Sequence, residues 1–375
     1  MIHRISIEEL IQLSRQVPDR PSDPTTDQTL RPADPMAAVP AGPPSARLPV
    51  LDVRSPAEFA QGHIPLAASL PLFSNEERAL VGTAYKKEGK EKAILLGFDL
   101  AGPKWSGFVR QALELAPEKK VALHCWRGGM RSGAMAWALD LYGFDVYLLE
   151  GGYKRYRKWV LARFEKEYRL MVIGGKTGSG KTRILQQLSH LGEQVVDLED
   201  IAGHQGSSYG SMNKLVQPSQ EQMENILAAR LSMLDPRKRT WVEDESSNIG
   251  KRMIPRPFWS QIRTATLIHL QVDIDQRINA LVKEYGSLDK DFLVECTDRI
   301  RKRLGTEHTK NAIAAIREDR MDEFIRLVLV YYDKTYQASL KDRDPARIFP
   351  LAIRGADPAL DTQKILHAVK MNTHG

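Results

Sequence analysis

Only two cysteines, Cys125 and Cys296, stand in 375 residues. That scarcity excludes a disulfide framework and fits a reducing cytosol. No run of eighteen apolar residues occurs, so no membrane-spanning helix is expected. The opening segment, MIHRISIEELIQLSR, has an apolar stretch too short for a signal peptide and carries acids; it reads as a strand and helix, or as an amphipathic helix. Internal repeats are absent. No second His or Cys stands at ligand spacing from His204, which therefore reads as an ordinary loop histidine. What the chain does have is an excess of cations: 54 Lys and Arg against 47 Asp and Glu, a net charge of +7 that favours an anionic partner. The length suffices for two ordinary domains.

The first informative string is HCWRGGMRS, residues 124–132. The run before Cys125 reads as a buried strand. The run after it, from Ser132 to a stop at Gly143, has helical spacing of apolar residues. A strand, a tight glycine loop and a helix N-terminus gather backbone N–H groups around the sulfur. Those donors, the helix dipole and two arginines, Arg127 and Arg131, favour the thiolate. One pKa unit corresponds to about 1.4 kcal/mol, so two or three such effects suffice to ionise Cys125 near neutrality. A thiolate in an anion cradle can attack, or carry, a group from an anionic donor. The competing reading is a buried structural cysteine. The cradle is Arg127, Gly128, Gly129, Arg131 and Ser132.

Upstream, LDVRSPAEFAQGHIPLAASLPL (residues 51–72) has a strand ending in Asp52, an acidic helix start and a Gly62-His63-Ile64-Pro65 turn. With HCWRGGMRSG it resembles the rhodanese family. The resemblance implies a small α/β domain with a five-stranded parallel sheet, Cys125 as carrier and His63 as a structural residue of its turn. One spacing departs from plain sulfur transfer. The loop reads H-C-x5-R, one residue longer than is typical of rhodanese loops and the same as in cysteine-dependent phosphatases. It suits a phosphate-bearing donor better than thiosulfate.

Fifty residues on, RLMVIGGKTGSGKTRILQQLSHLG reads as strand, glycine-rich loop and helix. Gly175, Gly178, Gly180, Lys181 and Thr182 supply the P-loop pattern G-x-x-x-x-G-K-T. Its N–H groups close around phosphates, Lys181 reaches the terminal one, and Thr182 can ligate Mg²⁺. This chemistry specifies a diphosphate, not a base. VVDLEDIAGHQGSSYGSM, WVEDESSNIG and LIHLQVD read as further strands with polar loops. One of them ends in Glu243, Asp244 and Glu245, and an acid at the end of a strand beside a P-loop usually serves Mg²⁺, with Asp244 and Thr182 as the candidates though no metal site is assigned; the competing reading is a solvated acidic turn.

Between the two loops lies GGYKRYRKWVLARFEKEYRL, a basic and aromatic stretch taken as a joining helix over residues 153–168. Lys154, Arg155, Tyr156, Arg157 and Lys158 are its candidates for RNA, since cations neutralise phosphates and aromatics stack on unpaired bases. A solvated linker helix is the equal alternative. A second basic run, residues 298–320, is expected to add positive surface. Cys296 falls in a helical pattern and reads as core or half-buried. The helix EFIRLVLVYYDKTYQASL is expected to close the second core. Residues 17–49, rich in Pro, Ala, Asp and Thr, read as a disordered or extended insertion.

The fold expected is therefore α/β: a rhodanese-like α/β domain over residues 1–152, then a P-loop NTPase-like parallel α/β domain over residues 169–375. A chain with both, carrying LEGGYKRYR, GGKTGSGKT, DLEDIAGHQGSSYG, EDESSNIG and YYDKTY as well, is similar to the tRNA 2-selenouridine synthase family. The resemblance implies a cytoplasmic enzyme that holds a tRNA anticodon loop and modifies its wobble uridine in two steps. Geranyl diphosphate, held by the P-loop, alkylates the sulfur of 2-thiouridine; selenium from selenophosphate then replaces it through Cys125. Selenophosphate and geranyl diphosphate would be co-substrates, with no tightly bound cofactor, Mg²⁺ as an optional ion, and a supplier of selenophosphate as a candidate partner. Two rivals are a cysteine-dependent phosphatase or rhodanese-type sulfurtransferase fused to an ATP-binding kinase-like domain, and a non-enzymatic RNA-binding module.

Overall fold

A computed structural model describes residues 1–14, 47–204, 209 and 216–372. Most of the insertion expected at 17–49, and ten residues of the polar loop that follows residue 204, lie outside the described residues. The chain divides into two compact units. One comprises Met1–Arg163 with Glu224–Ala229, the other Phe164–Met223 with Arg230–Gly375.

The first unit is built on a five-stranded parallel sheet. Its strands are β1 (Ile2–Ile5), β2 (Val50–Asp52), β3 (Ala68–Ser69), β4 (Lys120–His124) and β5 (Asp145–Leu149), in the order β1-β5-β4-β2-β3. The sequence expectation of such a sheet holds. Inner strands of a parallel sheet are covered on both faces and read as continuous apolar runs. In β4, Val121, Ala122, Leu123 and His124 are all buried. Register places Leu123 of β4 beside Leu51 of β2 and Leu148 of β5. The helix Met130–Leu141 buries Met135, Ala136 and Leu139 on this sheet. It stops where Gly143 takes φ +98°, a left-handed turn suited to glycine.

The opening segment resolves into strand β1 followed by the helix Ile7–Ser14. The joining helix runs Gly152–Phe164, shorter at its C-terminal end than the expected 153–168. The middle of another helix, Gln220–Ser232, contributes Glu224–Ala229 to the first unit, which no reading of the sequence anticipated.

In the second unit the parallel sheet comprises β6 (Leu170–Gly175), β7 (Gln194–Val196), β8 (Thr240–Glu243), β11 (Thr266–Gln271) and β12 (Ile348–Ala352), ordered β12-β11-β6-β8-β7. A two-stranded ribbon, β9 (Asn248–Ile249) with β10 (Arg252–Met253), stands apart from it. Strands β6, β7, β8 and β11 were expected from their apolar runs. Strand β12 was not, because Pro350 interrupts it; the strand lies at the sheet edge, where a missing N–H is tolerated. Between β11 and β12 the chain inserts a set of helices with its own core, including Leu281, Cys296, Ile316, Phe324 and Val328. Cys296 is fully buried there, as its pattern suggested, and the helix Met321–Lys341 does close that core.

Candidate functional site

Cys125 follows β4 directly, and the helix after it starts at Met130 with Gly129 as its N-cap. Cys125 is 4% exposed, and its sulfur accepts a hydrogen bond from Ser132 Oγ at 3.2 Å. Burial pushes the thiol pKa up. The Ser132 hydroxyl and the N–H groups of Ser132, Arg127 and Gly129 outweigh it, so the net direction is down. The cradle expected from the glycine loop and helix start is thus in place around the sulfur.

Its shape depends on glycines in two places. Gly128 has φ +64°, and a Cβ there would lie 2.6 Å from the Leu149 carbonyl oxygen. Gly152, at φ +55°, packs so tightly under the loop that a Cβ would overlap the Cys125 carbonyl oxygen. That contact lets the start of the joining helix serve the cysteine loop. The N–H of Tyr153 donates to the Cys125 carbonyl, and that of Lys154 to the Trp126 carbonyl, both at 2.9 Å. The string LEGGYKRYR therefore acts first as a floor for Cys125.

The two arginines differ. Arg131 donates to Glu58 at 2.7 Å and is only 22% exposed, so its guanidinium is held at the loop by a carboxylate. Arg127 is exposed. The upstream motif works behind the loop. Asp52 and Arg54 form a buried pair, Arg54 Nη2 also donates to the Gly62 carbonyl at 2.6 Å, and its guanidinium lies 3.7 Å from the Tyr153 ring centre. His63 stacks on Phe59 at 4.0 Å and binds the Phe59 carbonyl through Nδ1, a structural role as expected. His124, fully buried, lies 3.7 Å from Asp52. Burial lowers its pKa more than that carboxylate raises it, which keeps the ring neutral.

Of the five RNA candidates, Lys154, Arg155 and Lys158 are exposed. Two need correction. Tyr156 is 2% exposed and stacks on Trp159, so its ring cannot receive a base. Arg157 pairs with Glu224 and donates to Asn225 Oδ1 at 2.6 Å, within the first unit. Helical spacing put all five residues on one short stretch; packing turned two inward. The second basic run is also more neutral than its cations suggest, since Arg299, Arg301 and Arg320 pair with Glu295, Asp298 and Glu323.

In the second unit, β6 ends at Gly175 and the helix Lys181–His190 begins after Gly180, at φ +80°. Gly178 has φ +81°, and a Cβ there would lie 3.0 Å from the Arg277 carbonyl oxygen. Lys181 Nζ donates to the Gly175 carbonyl at 3.1 Å, curling over the loop. Arg277 is 2% exposed, pairs with Asp333 at 2.7 and 2.8 Å, and reaches the Thr177 carbonyl at 3.3 Å. Lys176 adds a 3.2 Å contact to Asp333. The YYDKTY string thus contributes the carboxylate that braces the P-loop, a role its sequence did not announce.

Around Thr182 lie acids. Its hydroxyl is 3.5 Å from Glu199. Glu243 is 3% exposed and accepts from the N–H groups of Leu198 and Glu199 at 2.8 and 2.9 Å. Burial raises all three neighbouring glutamates: Glu199 to about 7, Glu245 to about 8 and Glu243 well above its usual range, with the charges of nearby carboxylates, Asp197 and Glu199 among them, adding. Asp244, expected to serve Mg²⁺, is turned elsewhere. It pairs with Arg343 at 2.5 Å and Arg263 at 3.5 Å, with 3% of its side chain exposed. Glu243 and Asp244, adjacent in the chain, thus have different partners. Among the described residues no group of three or more His, Cys, Asp or Glu is set to hold a metal. An Mg²⁺ ion at Thr182 would therefore rely on phosphate oxygens and water, the usual manner for this ion.

Comparison with known proteins follows the same division. Residues 168–356 match the family described as "tRNA 2-selenouridine synthase AAA domain", and residues 40–158 match the rhodanese-like domain. The tRNA 2-selenouridine synthase of Nitrosomonas europaea is 38% identical over 255 residues, 64% of this chain and 64% of that protein. The proteins of the same name from Shewanella denitrificans and Shewanella sediminis are 32% and 34% identical, each over 80% of this chain and 90% of their own length. The chain thus spans less than two thirds of the Nitrosomonas relative but most of the Shewanella ones.

Proposed function

The chain belongs to the tRNA 2-selenouridine synthase family, and on that premise we propose that it converts wobble 2-thiouridine of tRNA to 2-selenouridine. The sulfur is first alkylated by geranyl diphosphate; selenium from selenophosphate, handled at Cys125, then replaces the S-geranyl group, which leaves as the geranyl thiol while water cleaves the selenium–phosphorus bond and phosphate is released. The observation that carries this reading is the Cys125 cradle, a thiol of lowered pKa ringed by N–H donors, on the same chain as a braced P-loop.

Each site suits one step. In the alkylation, the thiouridine sulfur attacks the first carbon of the geranyl chain, the carbon–oxygen bond breaks and diphosphate departs. Lys181 and the loop N–H groups meet the charge that gathers on the leaving oxygens. Mg²⁺, where bound at Thr182, would supply further charge neutralisation. In the selenium step, the N–H groups of Arg127, Gly129 and Ser132 meet an anionic donor, and Glu58 fixes the Arg131 guanidinium at the loop. Lys154, Arg155 and Lys158 are the exposed cations offered to the tRNA backbone.

Analysis of tRNA nucleosides by mass tests the whole scheme. Lys181→Ala is expected to lower geranylation about 10²- to 10³-fold, the usual loss for one charge-stabilising donor. Cys125→Ala is expected to leave the S-geranyl nucleoside accumulating with no 2-selenouridine. The reverse pattern, geranylation lost with Cys125 and spared without Lys181, overturns the division of labour.

A further inference from the structure

The aromatic residues of the joining helix are engaged in its own packing. Tyr153 and Tyr156 are 0% and 2% exposed. Trp159 is half-buried, stacks on Tyr156 at 5.7 Å and carries the Arg163 guanidinium 4.6 Å from its ring centre. An exposed ring beside the cysteine comes from the loop instead. Trp126, the residue after Cys125, is 38% exposed. Its backbone is pinned, since its carbonyl accepts from the Lys154 N–H at 2.9 Å and the Cys125 carbonyl accepts from the Tyr153 N–H at 2.9 Å. The indole packs on Tyr153, with ring centres 5.8 Å apart, and Arg54 lies 3.7 Å from that tyrosine's ring centre. Trp126 is therefore a braced platform, partly in solvent, and such a platform loses little side-chain freedom when a flat ring settles on it.

The charge beside it has one sign. Arg127 follows Trp126 directly and is exposed. Lys154, whose N–H holds the Trp126 carbonyl, is exposed too, as are Arg155 and Lys158. Lys158 stands four residues after Lys154 and so shares its face of the helix. Arg131 and Arg157, by contrast, are tied to Glu58 and Glu224. A flat π-face bordered by cations suits an unpaired nucleotide, whose base can stack while its phosphates are neutralised. An alkyl chain would use the ring but none of the charges; an acidic peptide would use the charges but not the ring.

We propose that Trp126 is the residue on which the unpaired target base stacks when the tRNA loop meets the cysteine site, with Arg127, Lys154, Arg155 and Lys158 on the flanking phosphates. The proposal rests on the reading that the chain acts on a wobble uridine. Stacking moves from the joining helix, whose tyrosines are buried, to the loop that carries the reacting cysteine. The base is then held one residue from Cys125, and the cations of the helix that pins the loop hold the strand on either side of it.

Fluorescence anisotropy of the full chain with two labelled anticodon-loop hairpins tests it, one with 2-thiouridine at the wobble position and one with an abasic nucleotide there. The native chain should bind the thiouridine hairpin about fivefold or more tightly, the lower end of what one stacked base contributes. Trp126→Leu, which keeps an apolar side chain without a ring, should erase that difference. Trp126→Phe should keep most of it. Lys154→Ala should weaken both hairpins alike, as loss of a phosphate contact does. Iodoacetamide labelling of Cys125 should be the same in the Trp126 variants as in the native chain. If Trp126→Leu keeps the native difference, or the native chain shows none, the stacking role falls while the tRNA reading stands. If Phe and Leu lose it alike and Cys125 labelling changes, Trp126 supports the loop and not the base, and the proposal falls. If the native chain binds neither hairpin more tightly than an RNA duplex of the same length, the tRNA reading falls as well.

Discussion

Cys125 gains its reactivity from small, additive contacts. Burial alone would keep the thiol protonated; a hydroxyl and three N–H groups reverse that. A lowered pKa means that the thiolate is present at lower pH than in a free cysteine, whose pKa is about 8.5. Iodoacetamide labelling of a Cys296→Ser chain should therefore show its half-maximal rate on the acid side of a free thiol. Ser132→Ala, which removes the 3.2 Å hydroxyl donor, should move that profile to higher pH. An unshifted profile in both proteins would contradict the cradle. Cys296 itself, pushed up by burial, is expected to stay unlabelled in the folded native chain. At this scale the sequence was most legible where backbone chemistry is local. The glycines, Lys181 and Cys125 are positions whose neighbours in the chain decide their conformation.

Elements explain why the longer motifs take the form they do. The joining helix begins with Gly152 because its first turn must approach the Cys125 carbonyl, and only a residue without a Cβ fits. Gly152→Ala is expected to damage the cysteine loop. Left-handed backbone alone costs an alanine about 1–2 kcal/mol, before the overlap with the carbonyl is counted. The measurement is again Cys125 labelling, whose pH profile should move to higher pH as the loop opens and its N–H donors are lost. In the second unit, the helix carrying Asp333 reaches back to Arg277 and Lys176. Asp333→Asn leaves a 2%-exposed guanidinium without its carboxylate. Removing one partner of such a pair costs about 3–5 kcal/mol, which thermal unfolding should register; pyrophosphate affinity should weaken with it. Strand β12 and the bracing by Asp333 escaped the sequence reading. Pro350 masks the first, and the second depends on a pairing 56 residues apart.

At the scale of the molecule, the two family matches divide the chain in sequence, but the compact units do not divide at one point. Glu224–Ala229 belongs with the first unit, where Asn225 donates to the Tyr153 hydroxyl at 2.8 Å and the His63 carbonyl at 2.9 Å, and accepts from Arg157. A fragment ending at Arg163 lacks this segment and should melt well below the same fragment supplied with a peptide of residues 219–233. Equal melting temperatures would show the segment to be dispensable. No helix among the described residues is long and apolar enough to cross a membrane.

The sequence by itself determined the two α/β sheets, the cysteine loop, the P-loop and the family, because each depends on residues within a few positions of one another and on apolar runs that only a covered strand can satisfy. Tertiary structure alone decided which charged and aromatic residues remain available for function. Tyr156 and Arg157 are turned inward, Asp244 is spent on Arg343, Glu58 orients Arg131, and a six-residue helix segment completes the first unit. The physical reason is that a charge or ring acquires its role from its partner. Those partners lie tens to a hundred residues away, at distances that spacing along a chain does not encode.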